Sequence, residues 1–147
     1  MVFLIRLIEL ILSLTAFILR PIRPILGRIF CVKISDGEWE KIKDAECFHI
    51  TESRHLRNIQ QSNGNVHLKK SEKIGSNIIA PRPSVYLFQG KPNDRDINLL
   101  KQQNRDSAVV IRISDIPREN LFRRRIDGAL LITSDYIGPG RIEDWPK

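Results

Sequence analysis

An apolar segment at the start of the chain constrains the fold more than any other feature of the sequence. Residues 2–19 contain fourteen apolar side chains out of eighteen, and only Arg6, Glu9, Ser13 and Thr15 interrupt them. As a helix, this segment would rise about 27 Å, close to the roughly 30 Å hydrocarbon core of a bilayer. Arg6 and Glu9 could pair on such a helix, which lowers the cost of burying them. The segment predicts a membrane-associated helix, either spanning or lying in the interface; a buried bundle helix is the alternative.

Basic residues follow the apolar segment and predict its orientation. Residues 1–33 hold five of the 24 Lys and Arg residues and a single acidic residue. Positive charge next to an apolar helix favours the cytoplasmic side, so residues 34–147 are expected to face the cytoplasm. Pro21 and Pro24 are expected to end the helix. We therefore divide the chain into a membrane-associated helix with a basic linker, residues 1–33, and a main domain, residues 34–147.

The charge distribution and the cysteines exclude several classes of protein. The positive charge is concentrated beside the apolar segment, which argues against a broad nucleic-acid-binding surface. Cys31 and Cys47 are too few for a disulfide scaffold, and the three histidines do not form a zinc-finger spacing with them. No metal site is predicted. Cys31 is either an acylation site beside the membrane or a buried thiol.

Short strands and two helices are predicted to alternate in the main domain. The predicted strands are 46–50, 84–88, 108–113 and 128–135, and the predicted helices are 52–64 and 93–104. Thr51 and Asn93 are the expected helix caps. Residues 65–84 are predicted to form a loop, and residues 136–140 to form a turn. This mixture predicts a small α+β domain with a mixed or antiparallel sheet, and not a doubly wound parallel sheet.

Three short motifs occur in order along the main domain. His49-Ile50-Thr51 precedes a predicted helix, Tyr86 lies within Ser84-Val85-Tyr86-Leu87-Phe88, and Ile137–Glu143 reads IGPGRIE. With these motifs, residues 46–143 resemble the small ADP-ribosyltransferase superfamily. The resemblance implies an ADP-ribosyltransferase-like fold that takes NAD as its substrate. It also implies cleavage of the nicotinamide–ribose bond and transfer of ADP-ribose to a protein or nucleic acid.

The resemblance implies roles for four residues. His49 and Thr51 would hold the ribose and the amide on the nicotinamide side of NAD, and the Tyr86 ring would stack against nicotinamide. Asp127 is the carboxylate nearest to the position where the family usually has a glutamate, so Asp127 and His49 are the predicted catalytic residues. Asp135 and Glu143 are the next candidates for the acid.

Each of these residues also has an ordinary structural interpretation. His49 and Tyr86 are typical of a core, Thr51 of a helix cap, and Asp127-Gly128 of a turn. The run Arg123-Arg124-Arg125 is typical of a solvated face, with phosphate contact as the alternative. The sequence leaves four functions open: an ADP-ribosyltransferase, an NAD glycohydrolase, a catalytically inactive, membrane-tethered interaction module, and a basic RNA- or DNA-binding protein. The last is the least favoured, because the positive charge is concentrated beside the apolar segment.

Overall fold

The computed structural model describes residues 21–71, 83–90 and 94–145. The predicted apolar helix at residues 2–19 and the predicted cap Asn93 lie outside these residues. In the described part of the chain, no helix is both long enough and apolar enough to cross a bilayer.

Helices and strands alternate along the described residues. The helices are α1 (Arg23–Phe30), α2 (Asp36–Ile42), α3 (Leu56–Ile59) and α4 (Asp94–Gln102). The strands are β1 (Cys31–Lys33), β2 (Glu46–Thr51), β3 (Asn65–Leu68), β4 (Val85–Gln89), β5 (Ser107–Arg112), β6 (Leu121–Arg124), β7 (Leu130–Ile132), β8 (Tyr136–Pro139) and β9 (Arg141–Asp144). Single 3-10 turns lie at Ser53–His55, Ile113–Asp115 and Arg118–Asn120.

The strands form two antiparallel sheets. The larger has seven strands in the order β1-β6-β7-β4-β2-β5-β9, and the smaller pairs β3 with β8. Every neighbouring pair among these strands is antiparallel. The fold is therefore α+β with a mainly antiparallel sheet and few helices, which confirms the predicted fold class at this level.

Both faces of the large sheet are covered, which explains why β5 is apolar without interruption from residue 108 to residue 111. Val109 and Ile111 point to the face covered by the small sheet and helices α2 and α3, where a first core cluster includes Ile42, Ile59, Val66, Leu68, Leu87 and Leu130. Ala108 and Val110 point to the other face, where a second cluster includes Ile50, Leu100 and Trp145. Successive strand residues alternate between faces, so these clusters assign each strand residue to one side of the sheet.

Several predicted elements are confirmed. The predicted strands 46–50, 84–88 and 108–113 correspond to β2, β4 and β5, and the predicted helix 93–104 corresponds to α4. The predicted strand 128–135 is shorter and is limited to β7. Strands β1 and β6 and helix α2 were not predicted. Helix α2 begins at a serine cap, since the Ser35 hydroxyl accepts a hydrogen bond from the Glu38 amide at 3.3 Å.

The predicted loop at 65–84 and the predicted turn at 136–140 are both wrong where they meet in the small sheet. Val66 pairs with Gly138, and Leu68 pairs with Tyr136. The pairing partners lie far apart in the sequence, and only two apolar side chains, Val66 and Leu68, mark β3. Pairing across such a distance, rather than local propensity, therefore makes these segments strands.

The predicted helix at 52–64 is short, and Thr51 is not its cap. Thr51 still pairs with Ser107 as the last residue of β2. The amide of Ser53 instead donates to the Asp106 carboxylate at 2.7 Å, so an acidic side chain from another element satisfies the first turn. Helix α3 ends at Ile59, because Gln60 adopts an extended backbone and forms a bridge with Val66.

Residues before the predicted domain boundary join the large sheet. Strand β1 pairs with β6, with Cys31 opposite Arg124. Cys31 is only 6% exposed and packs with Leu131 in a third cluster, which favours the buried-thiol interpretation over acylation. Pro24 lies in the first turn of α1, where a proline needs no amide partner.

Candidate functional site

Strand β4 changes its partner along its length, and this opens the large sheet beside β2. Its first three residues, Val85–Leu87, pair with β7, whereas Phe88 and Gln89 pair with Phe48 and Cys47 of β2. Strand β2 continues along β5 up to Thr51. Strands β2 and β4 therefore separate from His49 onward, and the two halves of the sheet diverge at this point.

His49 bridges the place where the two strands separate. Its Nδ1 atom lies 3.0 Å from the carbonyl oxygen of Tyr86. A carbonyl oxygen can only accept, so Nδ1 carries the proton. Burial lowers the pKa of His49, with a smaller contribution in the same direction from the charge of Arg105. The ring is thus neutral, and its Nε2 atom is left as a hydrogen-bond acceptor.

Tyr86, Arg124 and Asp127 form a compact cluster on the other side of β4. The Tyr86 hydroxyl donates to Asp127 Oδ2 at 3.1 Å, and Arg124 Nε donates to Asp127 Oδ1 at 3.0 Å. The Arg124 guanidinium also stacks over the Tyr86 ring, 4.9 Å from its centre. The Phe88 ring packs edge-on against the Tyr86 ring, with the two ring centres 5.0 Å apart. The cluster combines an aromatic ring, a cation and a carboxylate.

The backbone of the β6–β7 connection explains how Asp127 reaches Arg124. Gly128 has a φ of +71°, a left-handed conformation that glycine adopts without strain, and this turns the chain back toward β6. The turn lets Asp127 Oδ1 accept a further hydrogen bond from the Ala129 amide at 3.1 Å. The predicted Asp127-Gly128 turn is therefore present, and it also carries the candidate carboxylate.

Charge and burial shift the pKa values in this cluster. Burial raises the pKa of the Asp127 carboxyl, but the hydrogen bonds from Arg124 and Ala129 and the charge of Arg124 outweigh it, so the net pKa is lowered. Burial and the nearby Asp127 charge raise the pKa of Tyr86 to about 12. Burial lowers the pKa of Arg124, and the hydrogen bond and charge of Asp127 reverse this. At neutral pH the cluster contains an ion pair and a neutral phenol.

The structure brings together two of the four predicted site residues. Tyr86 and Asp127 are in direct contact. His49 touches only the backbone of Tyr86, because alternation along β2 places His49 and Thr51 on the face of Cys47 in the first core cluster. The Tyr86 ring lies on the opposite face, in the third cluster with Cys31 and Leu131. Thr51 is buried, with 8% exposure.

The alternative acids Asp135 and Glu143 have hydrogen-bond or ion-pair partners outside the cluster of Tyr86, Arg124 and Asp127. Asp135 accepts a hydrogen bond from the Lys70 amide at 2.9 Å and lies 3.5 Å from His67, so it holds the end of β3. Glu143 forms an ion pair with Arg141 at 2.8 Å on the edge strand β9. Both carboxylates thus have structural partners of their own.

Sequence reasoning missed Arg124. The solvated-face interpretation of the arginine run is wrong for two of its residues. Arg124 is only 7% exposed, and Arg123 donates to Gln89 at 2.7 Å and forms an ion pair with Glu38. Only Arg125 is exposed. Two signals could have identified Arg124: alternation in Leu121–Arg124 puts it on the face of Phe122, and an aspartate follows three residues later.

Comparisons with known proteins assign neither a family nor a function to this chain. No family model, no curated protein and no solved structure matches this chain. Within the described ranges, no group of three or more His, Cys, Asp and Glu side chains is arranged to hold a metal ion.

Proposed function

We propose that residues 34–147 form an NAD-binding domain of the ADP-ribosyltransferase type, held at the cytoplasmic face of a membrane by residues 2–19. The observation that carries this proposal is the neutral imidazole of His49 at the point where β2 and β4 separate, one residue along β2 from its last pairing with β4. NAD would enter where the pairing of β2 and β4 ends, and the unprotonated Nε2 of His49 can accept a hydrogen bond from a ribose hydroxyl.

The proposed chemistry uses the four residues that the resemblance to the superfamily implies. His49 and Thr51 would hold the ribose and the carboxamide on one face of the sheet, and the Tyr86 ring would provide the apolar surface for nicotinamide on the other. The proposal therefore requires that NAD passes between β2 and β4 where their pairing ends. As the bond between nicotinamide and ribose breaks, its electron pair leaves with nicotinamide and positive charge develops on the sugar. Asp127 is ionised at neutral pH and would stabilise that charge. A protein or nucleic acid acceptor then takes the ADP-ribosyl group; with water as the acceptor, the product is free ADP-ribose.

A second candidate function, a catalytically inactive and membrane-tethered interaction module, is supported by a specific observation. Both oxygens of Asp127 already accept hydrogen bonds, from Arg124, Ala129 and Tyr86. The Arg124 guanidinium covers one face of the Tyr86 ring, where the cationic nicotinamide ring of NAD would otherwise stack. Stacking of nicotinamide on this face requires that NAD displaces Arg124 from the ring, whereas a binding module keeps this contact.

Release of nicotinamide distinguishes the two functions. The full chain, purified in mild detergent, is incubated with NAD, and free nicotinamide is measured. Transferase or glycohydrolase activity predicts release that His49→Ala abolishes. The matched control is His67→Ala, because His67 lies on β3 and contacts Asp135 outside the proposed cleft. Absence of release with protection of the chain by NAD against thermal unfolding would favour the inactive module. If NAD gave neither effect, the proposal of an NAD-binding domain would be wrong.

A further inference from the structure

Helix α1 presents an apolar stripe to solvent. Ile25 and Ile29 are 57% and 54% exposed, and Ile22, immediately before the helix, is 40% exposed. At 100° per residue, these three side chains fall within about 60° of one another on the helix surface. The helix is anchored on its other side, where Gly27 is buried. A stripe of exposed isoleucines on one side of a helix is typical of a contact surface.

The turn that carries Asp127 extends this stripe. The amide of Arg125 donates to the carbonyl of Phe30 at 2.7 Å, which continues the β1–β6 pairing past Cys31 and Arg124. Ile126 follows Arg125 directly, so its backbone lies beside the last turn of α1, and its side chain is 60% exposed. We define the isoleucine surface as Ile22, Ile25, Ile29 and Ile126.

Positive charge surrounds the isoleucine surface. Arg28 and Arg125, the sequence neighbours of Ile29 and Ile126, are exposed, as is Lys33 at the end of β1, and residues 21–35 contain no acidic residue. The neighbouring carboxylate, Asp127, is neutralised by its ion pair with Arg124. Isoleucines flanked by exposed arginine and lysine match an anionic lipid surface, because the apolar side chains enter the acyl boundary while the basic groups meet the headgroups. In the sequence, the apolar segment 2–19 lies just before Ile22 and the first residue of α1.

We propose that the isoleucine surface is a second membrane contact, which binds the anionic leaflet and holds the Asp127 turn at the level of the lipid headgroups. This inference extends the proposed membrane association, but it rests on a different part of the chain. It also narrows the acceptor in the proposed reaction to molecules at the membrane surface, since Ile126 and Asp127 are adjacent.

A label at residue 126 tests this contact in the full chain. Ile126→Cys is modified with a polarity-sensitive fluorophore, and the native Cys31 and Cys47 are protected by burial. Ile137→Cys is the matched control, because Ile137 is 66% exposed on the small sheet. In vesicles that contain phosphatidylserine and brominated acyl chains, the label at 126 is expected to shift to shorter wavelengths and be quenched. The label at 137 is expected to do neither.

A charge substitution and a salt wash complete the test. Ile25→Glu combined with Ile29→Glu is expected to weaken quenching of the label at 126 by about tenfold or more, because two apolar side chains no longer enter the bilayer. Quenching should also decrease in pure phosphatidylcholine and at high salt. The variants replace exposed residues, so circular dichroism should be unchanged.

The outcomes separate this contact from the proposed tether. If the chain resists carbonate extraction but the label at 126 is not quenched, the isoleucine surface does not bind lipid and the inference is wrong, while the tether at 2–19 stands. If the label is quenched but carbonate releases the chain, the surface contact stands and the tether falls. A wavelength shift without vesicles would show that another part of this chain, or a second copy, covers the surface, and would overturn the inference.

Discussion

At the level of single residues, the candidate site depends on the balance of charge between Arg124 and Asp127. Arg124 is almost fully buried, and a buried guanidinium without a counter-charge destabilises a fold. Asp127 supplies that charge, and its side chain remains 36% exposed. The Asp127 carboxylate therefore has two roles. It stabilises the charge of Arg124 in the free protein, and it would face the sugar in the proposed reaction.

Replacing Asp127 tests its contribution to stability. Asp127→Asn is expected to lower the free energy of unfolding at pH 7 by about 1–2 kcal/mol, since Arg124 loses its ion pair while solvent screens part of the interaction. Because the folded pKa of Asp127 is lowered, its contribution is complete above the unfolded value of about 4 and is lost as the pH falls through the folded pKa. Urea denaturation at several pH values should therefore show that the difference between wild type and variant shrinks below about pH 4.

The control for this measurement is Asp36→Asn. Asp36 also forms an ion pair, with Arg118, but its side chain is 92% exposed. Its replacement should change the free energy of unfolding by less than about 0.5 kcal/mol. An equal effect of both substitutions would contradict the argument that burial of Arg124 makes the Asp127 pair important.

The sequence indicated some of these residues but not their arrangement. Tyr86 and Asp127 were identifiable from an aromatic residue on a short strand and an acid before a glycine, and they are in contact. The position of Arg124 depends on the register of β6, a strand of four residues that no local pattern marks clearly. His49 was correctly placed on β2, but its separation from the Tyr86 ring depends on where β4 changes partner.

At the level of elements, the large sheet was predicted better than the small one. Strands β2, β4 and β5 are apolar enough to be recognised, because both of their faces meet a core cluster. Strands β3 and β8 have one buried face each, and the residue that follows β8, Gly140, lies very close to β3. A Cβ atom added to Gly140 would lie 2.6 Å from Val66 Cγ2 and 3.2 Å from Ile111. The chain must pass this close for β8 and β9 to reach their different sheets.

Gly140→Ala is therefore expected to be destabilising. The methyl group would overlap with two branched side chains in the first core cluster, and such overpacking typically costs about 1–3 kcal/mol. Gly37→Ala is the matched control: it lies in helix α2 with nothing within 4 Å of the added methyl group, so it should be neutral or slightly stabilising. Thermal unfolding of the two variants provides the measurement. A neutral Gly140→Ala would show that β8 and β9 approach less closely.

At the level of the whole molecule, the divergence of β2 and β4 affects how stability responds to pH. His49 is neutral in the fold, and burial lowers its pKa below the ordinary value. The unfolded chain therefore binds a proton at this residue more readily than the folded chain does. Stability consequently decreases as the pH falls from about 6.5 toward the folded pKa, by at most about 1.4 kcal/mol per pH unit for one proton.

This pH dependence should become weaker when His49 is replaced. His49→Asn can still donate to the Tyr86 carbonyl but does not titrate, so its free energy of unfolding should change less between pH 7 and pH 5 than that of the wild type. The exposed His55 provides the control, since His55→Asn should keep the wild-type slope. Denaturant titrations at each pH measure both slopes. A wild-type slope in His49→Asn would mean that this imidazole is not enclosed.

The pairing of β1 with β6 has a consequence for how the molecule assembles during translation. Cys31 leaves the ribosome long before its partner Arg124, so one edge of the large sheet has no neighbour until most of the described chain has been made. The Tyr86 ring meets Arg124 and Asp127 at that same late moment. Nascent chains that stop before β6 can therefore form β2, β4 and β5, but they cannot hold the aromatic–arginine–aspartate arrangement.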